Sequence, residues 1–152
     1  MEKQLKSNSQ ITGDPSQEEL QPLIGLYSQG EFQKAIDKAN YLFGQFPESI
    51  ILHNICAASN AALRNYEAAI EIYKAAINIK PDFAETYNNM ATVLQDMGDL
   101  NAAVVSYREA IKIKPDFAKA YYNMGNALRE KDELDAAIDS YKKAIKIKPN
   151  YV

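Results

Sequence analysis

Hydrophobic and polar positions alternate along most of the chain with the period of an amphipathic helix. The stretch AKAYYNMGNALREK carries apolar or small side chains at the i, i+3, i+4, i+7 spacing of one helix face: Tyr121, Met124, Gly125 and Leu128. The stretch ELDAAIDSYKKAIKIK has a similar stripe, and a short polar segment separates the two. The pattern therefore predicts two helices joined by a turn, with Pro149 ending the second helix.

This helical pattern recurs at a fixed interval along the chain. Its markers are one set of prolines, two sets of alanines and one set of tyrosines: Pro47, Pro81, Pro115 and Pro149; Ala69, Ala103 and Ala137; Ala76, Ala110 and Ala144; Tyr73, Tyr107 and Tyr141. A period of about 34 residues is typical of helix–turn–helix units that stack into a solenoid, and alanine lets neighbouring helices approach closely. The sequence predicts an all-α fold of four units, residues 16–49, 50–83, 84–117 and 118–151.

The first unit departs most from this pattern. Two arrangements can begin its first helix: Asp14 as the cap with Pro15 in the first turn, or a capping box between Ser16 and Glu19. Pro22 lies further along the same helix and is expected to kink or shorten it.

Signals at the turns give two further predictions. Gly98 suits a left-handed helix end, and Asp99 after it suits the N-cap of the following helix. Asp82 and Asp116, in the repeated segment IKPDFA, are expected to cap the next helix or to shape the turn.

The repeated residues carry a family resemblance. The pattern Tyr121, Met124, Gly125, Leu128, Ala137, Tyr141, Ala144 and Pro149 resembles the tetratricopeptide repeat (TPR). The resemblance implies a right-handed α-solenoid of four helical hairpins. His53 and Asn60 depart from it, since the family usually has an aromatic and an apolar residue at these positions. The array also resembles the N-terminal TPR region of bacterial sulfotransferase or O-GlcNAc-transferase-like proteins.

Composition and charge argue against several classes of function and location. The 152 residues are 47% hydrophobic and carry a formal net charge of −3. These values are ordinary for a globular protein and argue against nucleic-acid binding driven by bulk charge, so no nucleic-acid partner is expected. No apolar run approaches the roughly 18 residues that a membrane-spanning helix needs, so no membrane partner is expected. Residues 1–15 contain no secretory signal and predict a disordered lead-in. A cytoplasmic location is expected, in keeping with a single cysteine.

Candidate catalytic chemistry is sparse. His53 and Cys56 are the only histidine and cysteine, and both fall on the inward stripe of a predicted helix. A nucleophilic pair also needs an orienting group and an oxyanion site, and neither is visible. No glycine-rich phosphate loop occurs. We therefore expect core packing for both residues, no catalytic or metal site, no cofactor and no enzyme activity.

The first helices of stacked hairpins line a concave surface. Helical spacing assigns nine residues to this surface as candidate peptide-binding residues: Asn54, Asn88, Asn89, Thr92, Lys119, Tyr122, Asn123, Asn126 and Arg129. Asparagine is a poor helix former, and its amide matches a peptide group in offering a donor and an acceptor. Two explanations stay open, binding of an extended peptide or hydrogen bonds between repeats. The family resemblance places Asn89 and Asn123 where transferase-like arrays carry an asparagine ladder.

These observations favour a protein–protein interaction scaffold that binds an extended peptide or a partner helix in its concave groove. Two alternatives remain. One is the substrate-recognition arm of a larger sulfotransferase or glycosyltransferase, truncated after residue 152. The other is a module that self-associates through an uncovered apolar face of its last repeat.

Overall fold

The computed structural model describes residues 13–150, and every regular element in this range is an α-helix. Residues 1–12 of the predicted lead-in and residue 151 of the predicted last unit lie outside the described residues. The helices are α1 (Gln17–Ser28), α2 (Phe32–Phe43), α3 (Ile50–Ala62), α4 (Tyr66–Ile79), α5 (Ala84–Asp96), α6 (Leu100–Ile113), α7 (Ala118–Glu130) and α8 (Leu134–Ile147). The predicted all-α solenoid is confirmed. None of these helices is long and apolar enough to cross a membrane.

The first helix begins with the second of the two predicted arrangements. Ser16 is the N-cap, its backbone N–H donates to Glu19 Oε2 at 2.8 Å, and the Glu19 N–H donates back to Ser16 Oγ at 3.3 Å. Asp14 instead accepts a hydrogen bond from the Ser49 hydroxyl at the start of α3, and Pro15 is buried. Pro22 lies within α1, which has 12 residues against 13 in α3, α5 and α7.

The turn inside each hairpin has one residue in the left-handed region, and these residues recur with the period of the repeat. They are Gly30, Arg64, Gly98 and Asp132, with φ between 63° and 85°. Gly98 is thus left-handed as predicted, and the Asp99 carboxylate accepts from the Ala102 N–H at 3.1 Å, which confirms its role as N-cap.

At the joints before α5 and α7, Asp82 and Asp116 lie in the turn and do not cap the following helix. Phe83 and Phe117 occupy the N-cap positions of α5 and α7, with no side-chain cap hydrogen bond, so capping of these helices by Asp82 and Asp116 was wrong. Lysine ammonium groups lie over both phenylalanine rings, 5.2 Å and 4.9 Å from the ring centroids. Cation–π contact rather than a carboxylate cap therefore accompanies each of these two joints.

The core is a succession of three clusters along the array rather than one central core. The alanines of both repeated sets are buried beside the second-helix tyrosines, so small and large residues alternate as the repeat period predicts. Each helix packs mainly against its neighbours in chain order, as expected for a solenoid.

The outer stripe of α8 is an exception to this burial. Ile138 is 48% exposed, whereas Val104, at the same position of α6, is 4% exposed because α7 packs over that helix. Leu134 and Ile145 extend the stripe and are also exposed. The last described hairpin therefore presents an apolar helix face to solvent.

Candidate binding groove

A groove of about 490 Å³ crosses the first helices of the array. Its lining comes from α1, α3, α4, α5 and α7: Tyr27, Ala58, Ala61, Ala62, Tyr73, Asn89, Thr92, Val93, Asp96, Lys119 and Asn123. Four of the nine sequence-predicted residues lie here, namely Asn89, Thr92, Lys119 and Asn123. Since these four come from α5 and α7, the groove brings together neighbouring repeats, and we call it the concave groove.

The asparagines of α5 and α7 form a chain of amides that joins the two repeats. Asn123 Nδ2 donates to Asn88 Oδ1 at 3.2 Å, and Asn88 Nδ2 donates to Asn89 Oδ1 at 3.4 Å. Asn88 is only 1% exposed. It therefore supports its two neighbours from beneath and does not itself face the groove.

Asn54 has a similar role one repeat earlier. Its Nδ2 donates to the Ile50 carbonyl at 3.0 Å and lies 3.2 Å from Thr86 Oγ1, and the Thr86 hydroxyl lies 3.3 Å from Asn54 Oδ1. These contacts connect α3 to α5. Asn54 and Asn88 thus follow the alternative in which asparagines bond to a neighbouring repeat.

The remaining three predicted residues lie on α7 outside the groove lining. Asn126 Oδ1 accepts from the Tyr141 hydroxyl at 2.8 Å, and the Tyr122 ring packs 5.7 Å from the Tyr141 ring. Arg129 is exposed in the last turn of α7. Helical spacing predicts these three residues on the same face as the other four, but in the structure they do not line the concave groove.

Three small residues and one tyrosine of the second repeat also line the groove, although none of them is among the nine candidate binding residues. Ala58 and Ala61 stand one repeat before Thr92 and Gln95, so the second repeat has methyl groups where the third has polar side chains. Ala62 and Tyr73 complete this part of the wall. Helical spacing and the repeat period assign Ala58 and Ala61 to the concave face, whereas they do not assign Ala62 and Tyr73 to it.

The second-helix tyrosines differ in their hydrogen bonds. The Tyr107 hydroxyl donates to Gln95 Oε1 at 3.1 Å and lies 3.2 Å from Thr92 Oγ1. Tyr141 donates to Asn126, as described above. Within the described part of the chain, the Tyr73 hydroxyl makes no such hydrogen bond, because the equivalent first-helix residues are alanines.

Burial affects the acidity of two of these phenols. Burial raises the pKa of Tyr107 to about 12; the Thr92 hydrogen bond opposes this rise, and the carboxylates of Asp96 and Glu130 add to it. Burial also raises the pKa of Tyr73, with a smaller contribution from nearby Tyr27. Both phenols therefore stay protonated well above neutral pH.

The different partners of these tyrosines lead to a stability prediction. Tyr107→Phe is expected to lower the free energy of unfolding by about 1 kcal/mol, because it leaves Gln95 and Thr92 without their shared partner. Tyr73→Phe removes the same atom without breaking a hydrogen bond and is expected to change the free energy of unfolding by less than about 0.5 kcal/mol. Urea unfolding followed by circular dichroism measures both. Equal losses in the two variants would contradict the assignment.

His53 and Cys56 lie in a separate cleft of about 460 Å³, between α2, α3 and α4. His53 Nδ1 is 2.8 Å from the Ser49 carbonyl oxygen, and its ring packs edge-on against Phe43 at 4.7 Å. Cys56 is buried, and burial raises the pKa of its thiol. Among residues 13–150, no group of three or more histidine, cysteine or acidic side chains is placed to hold a metal ion.

Comparisons with known proteins agree with this architecture. A crystal structure of MamA superposes with a TM-score of 0.78 at 26% sequence identity, covering 86% of this chain and 77% of that one. MamA 41-end from Desulfovibrio magneticus RS-1 gives a TM-score of 0.77 at 17% identity over 88% and 75% of the two chains, and shows the fold alone.

Sequence comparison adds a relative and a family. The chain is 31% identical over 74 residues to the probable UDP-N-acetylglucosamine–peptide N-acetylglucosaminyltransferase SEC of Arabidopsis thaliana. That match covers 49% of this chain but only 8% of the plant protein. The family described as TPR repeat matches residues 61–98 and 93–128, and the family described as Tetratricopeptide repeat matches residues 118–151. The chain belongs to the tetratricopeptide repeat family.

Proposed function

We propose that the concave groove binds an extended peptide segment of a partner protein. Stacked repeats of this kind form protein-interaction scaffolds with an extended concave surface. The observation that carries the proposal is the meeting of Asn89, Thr92, Lys119 and Asn123 in one groove that runs across the first helices.

The two groove asparagines present different hydrogen-bonding groups to a ligand, one a donor and the other an acceptor. Asn89 uses its Oδ1 to accept from Asn88, so its Nδ2 is the group left to donate to a ligand. Asn123 uses its Nδ2 to donate to Asn88, so its Oδ1 is the group left to accept. A peptide group carries one carbonyl acceptor and one N–H donor, so an extended main chain matches this pair without requiring a particular sequence.

Charges in the groove extend the match beyond the amides. Lys119 and Asp96 line the same space and carry opposite charges. Charged groups at an interface act mainly on orientation and association rate. We expect them to select the direction in which a peptide lies rather than to supply most of its affinity.

The test is titration of fluorescently labelled peptide libraries against the wild-type chain, Asn89→Ala and Asn123→Ala. Each substitution is expected to lower affinity about 2- to 10-fold, which corresponds to one lost hydrogen bond. Asn101→Ala, on the exposed side of α6, is the matched control and is expected to bind as wild type. Unchanged binding in both groove variants would overturn the proposal.

The transferase match favours a second candidate, in which this array is the substrate-recognition arm of a larger glycosyltransferase or sulfotransferase. The chain covers only 8% of the plant transferase, and the activity belongs to that whole protein. The coding sequence after residue 152 is the test. A transferase domain in the same reading frame supports this candidate, whereas a stop codon directly after residue 152 removes it.

The exposed stripe of α8 favours a third candidate, self-association of the last repeat. Ile138 occupies a position that is buried in the second and third repeats, as Ile70 and Val104, and the exposed Leu134 and Ile145 extend the stripe. Apolar patches of this kind commonly mark interfaces. Sedimentation velocity over a range of concentrations is expected to detect an assembly that Ile138→Glu abolishes and the exposed control Val105→Glu preserves. A monomer at every concentration would exclude this candidate.

A further inference from the structure

The third and fourth repeats share a hydrogen bond that the second repeat lacks. In the third repeat the Tyr107 hydroxyl donates to the side-chain amide oxygen of Gln95, and in the fourth the Tyr141 hydroxyl donates to that of Asn126. The two acceptors stand at different positions of the first helix, yet both are amide oxygens. In both repeats the second-helix tyrosine therefore has an amide acceptor on the first helix of its own hairpin.

The first helix of the second repeat has no amide side chain at the positions of these two acceptors. Ala61 replaces Gln95, Ala58 replaces Asn126, and both methyl groups line the concave groove. Tyr73 also lines the groove and is only 1% exposed. Since no buried polar side-chain atom among the described residues is sealed off without a partner, the Tyr73 hydroxyl must reach the groove.

Small and apolar residues line the concave groove together with Tyr73. They are Ala58, Ala61 and Ala62 of α3 and Val93 of α5. Tyr27 of α1 lines the same space. A hydroxyl with so little exposure and no partner within the chain gains from a hydrogen bond with a ligand, and here the three alanines leave room for a group from outside the chain.

We propose that Tyr73 is a subsite of the concave groove that donates a hydrogen bond to an amide carbonyl of the bound peptide, seated over Ala58 and Ala61. The peptide thereby supplies the group that Gln95 and Asn126 supply within the other repeats. This subsite rests on the proposed peptide-binding function. The carbonyl comes either from the main chain or from an asparagine or glutamine side chain of the ligand, and the two sources share the same chemistry.

Two variants test the subsite from opposite directions. Tyr73→Phe removes the donor and is expected to lower peptide affinity about 2- to 10-fold. Ala61→Gln installs the acceptor that Gln95 provides one repeat later, so it is expected to occupy the subsite from within, lower affinity by a similar factor and raise thermal stability. Ala68→Gln, on the exposed face of α4, and Tyr41→Phe, at an exposed tyrosine of α2, are the matched controls and are expected to bind peptide as wild type.

The probes are labelled ten-residue peptides of glycine, serine and alanine, with or without one central glutamine. A preference for the glutamine peptide that Tyr73→Phe removes supports a side-chain source, and equal binding of both peptides that the same variant weakens supports the main chain. Binding that Asn89→Ala weakens but Tyr73→Phe and Ala61→Gln leave unchanged overturns the subsite and preserves the proposed function. Failure of the wild-type chain to bind either peptide or the wider library overturns both.

Discussion

Replacing Gly125 by alanine is expected to lower the free energy of unfolding by about 1–3 kcal/mol. A Cβ atom at this position would lie 2.6 Å from Cε1 and 2.8 Å from Cδ1 of the Tyr141 ring. The ring cannot withdraw freely, because its hydroxyl donates to Asn126 and its edge packs near Tyr122. The clash therefore displaces either the ring or the α7–α8 packing.

A matched control separates this clash from the helix propensity of alanine. Gly25 lies within α1, has helical geometry and would place a Cβ with no heavy atom within 4 Å. Gly25→Ala is therefore expected to raise the free energy of unfolding by about 0.5–1 kcal/mol. Urea unfolding measures both variants. If Gly125→Ala matches or exceeds the wild-type stability, the close contact with Tyr141 is not a constraint.

Equivalent positions in other repeats explain why glycine occurs only here. Ala57 and Ala91 stand at the position of Gly125 in the second and third repeats, and both are fully buried. Their methyl groups are accommodated in the same clusters as the corresponding tyrosines of α4 and α6. In the fourth repeat the Tyr141 ring occupies the space that a Cβ of residue 125 would need, and its hydroxyl donates to Asn126.

Most of the fold was predictable because the same pattern of packing residues recurs several times along the sequence. Each repetition of the alanine and tyrosine positions is independent support for one helix–helix contact, and the prolines limit each unit. Local capping was less predictable. Asp82 and Asp99 both precede a helix, but only Asp99 stands at the N-cap, because one extra residue, Phe83, separates Asp82 from α5.

The candidate site was predictable only in part, because helical spacing gives the direction of a side chain but not its partner. Asn88 and Asn89 are neighbours in sequence, yet Asn88 is buried and bonds to the next repeat while Asn89 lines the groove. The difference depends on how α7 stacks against α5, which no single repeat encodes. For the same reason, Asn126 was assigned to ligand binding although Tyr141 engages its oxygen.

Tyr73 shows a different limit of the sequence argument. Its recurrence in register with the repeat indicated a core residue, and its burial agrees with that assignment. What distinguishes it is the loss of polar residues at Ala58 and Ala61, which belong to another helix. The chemistry of the concave groove thus depends on the alanines of the second repeat as well as on the asparagines of the third and fourth repeats.

The two buried tyrosines are expected to make the fold sensitive to alkali, with stability falling as pH rises above about 10. In the unfolded chain a tyrosine has a pKa near 10.0, whereas burial raises the pKa of Tyr107 to about 12 and also raises that of Tyr73. Above pH 10 the unfolded chain has therefore released protons that the folded chain retains. The stability that these two tyrosines contribute is fully present below pH 10 and decreases by up to about 1.4 kcal/mol per pH unit for each of them above it.

Urea unfolding midpoints between pH 9 and pH 11.5 measure this slope. Tyr107→Phe has no phenol to ionise at this position, so its stability is expected to fall about half as steeply above pH 10, although it starts from a lower value at neutral pH. The double variant Tyr73→Phe, Tyr107→Phe is expected to remove most of the slope. An unchanged slope in the double variant would place the alkaline sensitivity in other groups. A slope that disappears would mean that the phenols beside the concave groove resist ionisation because the stacked repeats exclude water from them.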